Sequence, residues 1–238
     1  MSVVKKIFSV LLVIILTIVG LWQLSGSRNY QIVGELISRV NTHERLIALT
    51  FDDGPTKKHT DSVLAMLAEH DVPATFFVTG KEVDIFPDEA RKILAAGHQL
   101  GNHSWSHPRM VLKSPAFIAE EIEKTDAALR AIGYQENILF RPPYGKKLFV
   151  LPWYLQKTGR TSVTWDIEPE TWPDVAKSAQ TIAEHVIENA KPGSIILLHV
   201  MYDSREESRK ALPSIINGLK EQGYTFVTVS DLIENRTQ

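Results

Sequence analysis

Apolar and polar positions divide the chain into two unlike parts. From Ile7 to Leu24 runs an uncharged stretch whose only polar members are Ser9, Thr17 and Gln23, preceded by Lys5-Lys6. At about 1.5 Å of rise per residue such a run nearly spans a hydrocarbon core, so it is a candidate membrane helix. The preceding lysines favour a cytoplasmic N-terminus and place the rest of the chain outside the cytoplasm. A cleaved signal peptide competes, because Ser25-Gly26-Ser27 offers small residues to a peptidase, although the run is long for that purpose. From Leu46 onward, short apolar runs alternate with amphipathic stretches. The runs Leu46–Phe51, Pro73–Gly80, His98–His103, Ile138–Phe140, Thr161–Trp165, Ser194–His199 and Tyr224–Val229 predict strands. Between them the pattern predicts helices over Lys58–His70, Pro87–Ala96, Phe149–Lys157, Ala176–Ala190 and Glu206–Gln222. A further helix starts at the cap Ser114-Pro115 and stops near Gly133.

The strands are apolar throughout instead of alternating in and out, which points to a parallel sheet covered by helices. The expected fold is therefore α/β: a distorted or incomplete (β/α) barrel of about seven strands, a single domain after an N-terminal membrane helix. The expected division is residues 1–27 as membrane anchor or signal segment, 28–43 as a linker with little structure, and 44–238 as the catalytic domain. No Gly-x-Gly-x-x-Gly or Gly-x-x-x-x-Gly-Lys follows any strand, so nucleotide binding loses its usual support.

Composition narrows the chemistry. Net charge is −2 and the lysines and arginines are scattered, so nucleic acid is not a favoured partner. With no cysteine the chain has no disulfide, no thiolate nucleophile and no residue to acylate as a lipoprotein. Any metal must be held by His, Asp or Glu.

The reactive residues fall at the C-terminal ends of the predicted strands, the face that carries the active site in parallel α/β folds. Asp52-Asp53-Gly54-Pro55 follows the first strand, His103-Ser104-Trp105-Ser106-His107 the third, Arg141 the fourth, and His199 ends the penultimate one. Adjacent aspartates where a strand breaks into a turn can take separate roles, one holding a metal and the other staying ionised as a base. Two histidines spaced by four lie on one side of a helical turn, and with one carboxylate they make a site with open coordination positions. An open divalent site acidifies water and polarises a carbonyl, the needs of amide or ester hydrolysis. Arg141 is suited to hold the base ionised, and His199 to protonate a departing amine. Trp105, Tyr144, Trp165 and Trp172 are candidates to line a sugar-binding groove.

Thr50 to Pro55, His103 to His107, Arg141 to Gly145, Trp165 to Trp172 and Leu197 to His199 resemble, in order, the five motifs of the polysaccharide deacetylases. This is the NodB-homology family, carbohydrate esterase family 4. The resemblance covers about residues 44 to 233 and implies a divalent metal, usually zinc, in a distorted barrel. Carried over by position, it implies Asp52 as general base and Asp53, His103 and His107 as metal ligands. It implies Arg141 in contact with the base, the Tyr144 amide at the oxyanion, Leu197 and Trp172 bordering the acetate pocket, and His199 as general acid. One motif departs. The family commonly carries Asp-x-x-Asp-Trp, its second aspartate tuning the catalytic histidine, where this chain has Glu168-Pro169-Glu170-Thr171-Trp172. Thr171 supplies no charge, so Glu168, Glu170 or Asp166 is expected to substitute, or His199 is tuned less strongly. The function implied is removal of acetyl groups from N-acetylated amino sugars of an extracytoplasmic polysaccharide, with peptidoglycan leading because an anchored enzyme lies beside it. An O-acetyl esterase on xylan-like polymers and a non-catalytic sugar-binding protein are the alternatives.

Overall fold

The computed structural model describes residues 3–237, and they are organised about one strand. The long apolar helix α1 covers Val3–Ser25, and the short strand β1 covers Leu36–Ile37. The central β2, Leu46–Asp52, is buried from Ile47 to its end. After it come α2 (Thr60–Glu69), β3 (Thr75–Val78), α3 (Gly80–Ile85), α4 (Pro87–Ala95), β4 (Gln99–Asn102) and α5 (Pro115–Ala131). The second half holds α6 (Val150–Lys157), β5 (Ser162–Val163), α7 (Pro173–Ala176), α8 (Ala179–Asn189), β6 (Ile195–Leu198), α9 (Glu206–Glu221), β7 (Thr225–Phe226) and α10 (Val229–Glu234).

Every named strand pair is parallel. The sheet runs β4-β3-β2-β6, with β7 also on β2 and β1 on β5. Between β4 and β5, and from β5 to β6, the ladder thins to single bridges at Asn102–Phe140, Phe140–Ser162 and Ile167–Ile196. This is the distorted barrel, outlined but not closed by a continuous ladder.

Alternation along β2 sorts its side chains between two cores. Ile47, Leu49 and Phe51 join a large cluster with Leu67, Phe76 and Ile215 beneath the helices. Ala48 faces the barrel interior with Phe77, Val163 and Leu197, so Thr50 and Asp52 share that inner face. Gly101 leaves room there, because a Cβ at that position would meet the Phe77 ring at 2.5 Å.

Five predictions need correction. The strand expected over Ile138–Phe140 is reduced to isolated bridges at Phe140. Residues 28–43, expected to have little structure, belong to the fold: Ile37 and Val40 are buried, β1 pairs with β5, and the Val40 amide donates to the Gly193 carbonyl at 2.9 Å. Their polar spacing hid a strand of two residues held only by tertiary contacts. The predicted strand to Gly80 stops at Val78, because the Thr79 hydroxyl caps α3. The helix expected over 176–190 is broken where Ser178 caps α8. The last strand ends at Phe226, and Thr228 opens α10 with a capping box on Asp231.

Candidate active site

The strand ends build one cavity of about 600 Å³ whose walls include Asp52, Asp53, His103, His107, Tyr144, Leu197 and His199. The β2–β6 register, Thr50 opposite Leu197 and Phe51 opposite Leu198, brings Asp52 and His199 to neighbouring strand ends. Asp53 takes φ 70°, outside the strand conformation, and its amide donates to the Phe77 carbonyl at 3.0 Å. The Glu82 carboxylate accepts the Gly54 amide at 2.7 Å and the Thr79 hydroxyl at 2.8 Å, pinning this turn from α3.

Residues 103–107 are not helical, contrary to the spacing argument. Ser104 and His107 have φ of 67° and 56°, and the loop is held by the Ser106 amide and hydroxyl donating to Glu121 and by the Asn102 side chain accepting the Ser104 amide. The imidazoles still meet, with their Nε2 atoms 3.2 Å apart. Of the six non-glycine residues at positive φ among the described residues, four (Asp53, Ser104, His107 and Tyr144) lie here, which is where strained backbone is retained for use.

Asp52 is 2% exposed, and its Oδ1 accepts from Arg141 Nη1 at 2.6 Å. The same Nη1 reaches Thr50 Oγ1 at 2.9 Å, Nη2 reaches the Thr164 carbonyl, and the guanidinium lies 4.0 Å over the Phe77 ring. Burial alone would push Asp52 up, but Arg141, then His103 and His199, outweigh it and hold the carboxyl below its ordinary value. Opposite, burial pushes His199 down. The hydrogen bond and charge of Glu170, followed by Asp52 and Asp53, overcome this and lift it to about 9.

Of the three candidate carboxylates, Glu170 is the one that contacts His199. It accepts from His199 at both the backbone amide and Nδ1, and from the Ser208 hydroxyl. Glu168 instead accepts from Arg28 at 2.6 Å and from the Trp165 indole at 2.9 Å, while Asp166 accepts from Ser194 and the Ile195 amide.

Between these two pairs stand Asp53, His103 and His107, whose ligand atoms all lie within 4.8 Å of one another. His103 Nδ1 is 2.8 Å from the Arg141 carbonyl, which can only accept, so Nδ1 carries the proton and Nε2 presents a lone pair. Burial pushes both histidines below the ordinary value, and Asp53 Oδ1 is buried with no hydrogen-bond partner. Burial also raises Asp53, with His103 opposing and Asp52 reinforcing. Neutral imidazoles facing an orphaned carboxylate oxygen are a donor set that fits a divalent cation.

The structure does not bring every candidate here. Trp172 is 57% exposed and outside the lining, because the turn Pro169–Thr171 that points Glu170 inward carries Trp172 outward. Trp105 is also outside it, whereas Trp165 lines the wall. Tyr144 packs against His107 with centroids 4.5 Å apart and the rings tilted by 54°. Sequence reasoning missed Glu82, although Thr79-Gly80-Lys81-Glu82 has the capping-box spacing that marks it.

A family model for polysaccharide deacetylase matches residues 39–163. The peptidoglycan-N-acetylmuramic acid deacetylase PdaC of Bacillus subtilis is 36% identical over 200 residues, 84% of this chain and 41% of that protein. The chain thus spans less than half the length of that relative. The peptidoglycan-N-acetylmuramic acid deacetylase PdaA of the same organism is 36% identical over 195 residues, 81% of this chain and 73% of its own length. Among solved structures, the Bc1960 peptidoglycan N-acetylglucosamine deacetylase superposes with a TM-score of 0.79 at 31% identity, covering 85% of this chain and 94% of that one.

Proposed function

This chain belongs to the polysaccharide deacetylase family, and from that premise we propose that it removes acetyl groups from N-acetylated amino sugars of an extracytoplasmic glycan, with peptidoglycan the leading class. The observation that carries the reading is a base and an acid pushed apart in one cavity. Asp52 is held ionised by Arg141, and His199 is held protonated by Glu170.

Asp53, His103 and His107 would hold a divalent metal, zinc being the expected one, and when bound it supplies Lewis acidity toward a carbonyl and a water. Asp52 takes the proton of the attacking water on its Oδ2 side, since Oδ1 is engaged by Arg141. The Tyr144 amide is assigned to the developing oxyanion, and Leu197, buried in the same cavity wall, offers an apolar surface to the acetyl methyl. His199, its Nδ1 committed to Glu170, directs Nε2 to the cavity and protonates the leaving nitrogen. An amine leaves only once protonated, so the acid matters more for an amide than for an ester. Trp165 is assigned the aromatic wall that Trp172 does not provide.

Residues 1–27 are assigned to a membrane anchor with the cavity outside the cytoplasm, a reading supported by α1 being long and apolar enough to cross a bilayer. Residues 28–238 are assigned to the catalytic domain. Acetate release from chitin oligosaccharides, peptidoglycan and acetylxylan, run side by side, tests the reading. Release from the first or second supports it, and release from acetylxylan alone replaces it with an esterase.

A further inference from the structure

The last turn of α1 is not a free stalk. Ser25 is wholly buried, and its carbonyl accepts the Lys147 amide at 2.8 Å. The Ser27 carbonyl accepts the Lys147 ammonium at 2.5 Å, and the Lys146 ammonium lies 4.0 Å over the Trp22 ring. Gln23 and Gly26 thereby form part of the wall of the cavity that holds Asp52 and His199. Such an attachment fixes the height of the cavity above the membrane. A helix of 23 residues rising about 1.5 Å per residue crosses a hydrocarbon core of about 30 Å with little to spare. Trp22 and Gln23 therefore lie at the headgroup level, where indoles concentrate, and the cavity opens beside them.

A second, independent feature adjoins the first. Tyr30, Phe149 and Trp153 are 54%, 52% and 47% exposed, and Ile32 and Val33 share a shallow apolar groove with Phe149 and Trp153. In sequence Tyr30 follows Ser27 by three positions, and Phe149 follows Lys147 by two. An aromatic patch continuing the exit of a membrane helix matches the bilayer interface, where amphipathic rings gain apolar contact without losing water at their polar edges.

Building on the deacetylase and anchor readings above, we propose that the catalytic domain lies against the bilayer with its cavity at headgroup level, and that its substrate is an N-acetylated amino sugar carried on a membrane lipid through a phosphate link. Lys146, which also donates at 3.3 Å to the Trp22 carbonyl and the Ser25 hydroxyl, and Arg205, 3.9 Å from Glu170, line the cavity and bring positive charge to the place of that link.

The test uses the full zinc-loaded chain in phospholipid vesicles, measuring acetate released from N-acetylglucosaminyl diphosphoryl polyprenol in the same bilayer and from soluble chitin tetrasaccharide. Two variants separate height from chemistry. One inserts a flexible Gly/Ser segment after Gly20, where nothing lies within 4 Å, leaving the docked residues 21–28 in place. The other is Phe149→Ser with Trp153→Ser, outside the cavity wall. The parent is expected to prefer the lipid-linked sugar by about tenfold or more, from confinement to one surface. Both variants are expected to lose most of that preference and keep the soluble rate. Equal rates on the two substrates, or a preference that survives both variants, overturns the inference while leaving the deacetylase reading intact. Release from the soluble substrate alone likewise overturns the inference, whereas absence of acetate from both substrates, with folding verified, removes the deacetylase reading beneath it. A mature N-terminus between residues 25 and 28, read by mass spectrometry, removes the anchor and the inference with it.

Discussion

Glu170 grips His199 at two points, accepting both its Nδ1 hydrogen and its backbone amide, from one position before the place where the family pattern carries aspartate. The longer glutamate side chain spans the difference. Glu170→Gln is expected to move the alkaline limb of amide hydrolysis from the vicinity of about 9 toward the ordinary histidine value. At pH 8 the rate on an N-acetyl substrate is expected to fall by about 10- to 100-fold, with a smaller loss on an activated ester. Glu168→Gln and Asp166→Asn are expected to leave the limb in place, since neither carboxylate touches His199. A pH–rate profile of the three variants separates them.

The same pair sets a stability trend in the metal-stripped protein. The folded state lifts His199 from 6.5 to about 9, so it binds more protons than the unfolded state across that window. The stabilisation is fully present below 6.5 and is lost as pH rises through 9, with an upper bound of about 3 kcal/mol. Urea unfolding in detergent micelles is expected to show stability falling between pH 6.5 and 9, and Glu170→Gln is expected to flatten that fall.

Arg141 is wholly buried, and its partner is the equally buried Asp52. Arg141→Met leaves an uncompensated carboxylate and is expected to cost about 3–5 kcal/mol along with activity. Adding Asp52→Asn removes the stranded charge. The double variant is expected to regain a measurable part of the stability and none of the activity. Chemical denaturation of the four proteins of the cycle reads the coupling.

Much of this was legible in the sequence where one strand end carried its own chemistry. Asp52, Asp53, Arg141 and His199 follow apolar runs whose burial fixes their direction, so their convergence could be argued from topology alone. What was not legible depended on contacts between distant segments. The two-residue strand Leu36–Ile37 exists only because Ser162–Val163 lies beside it. The loop at His103–His107 takes left-handed residues no spacing rule requires, fixed by Glu121 and Asn102 from other elements. Trp172 was placed by motif, yet a turn of three residues reverses its direction relative to Glu170. The choice among Glu168, Glu170 and Asp166 needed the fold, because all three are acidic and near the same strand end.

Asp53 costs stability in the metal-stripped protein, since its Oδ1 is buried without a partner and its carboxyl is pushed up by burial. Asp53→Ala is therefore expected to raise the melting temperature of the stripped chain by a few degrees, while abolishing the further rise that zinc gives the parent. Calorimetry with and without zinc checks both signs.

The most direct measurement is acetate release from an N-acetylglucosamine oligosaccharide by the full chain, stripped of metal and then given one equivalent of zinc, with Asp53→Ala beside it. Release that appears only with zinc and only in the parent is the expected result. Release that persists after stripping, or that Asp53→Ala retains, would contradict the assignment of Asp53, His103 and His107 as the metal site.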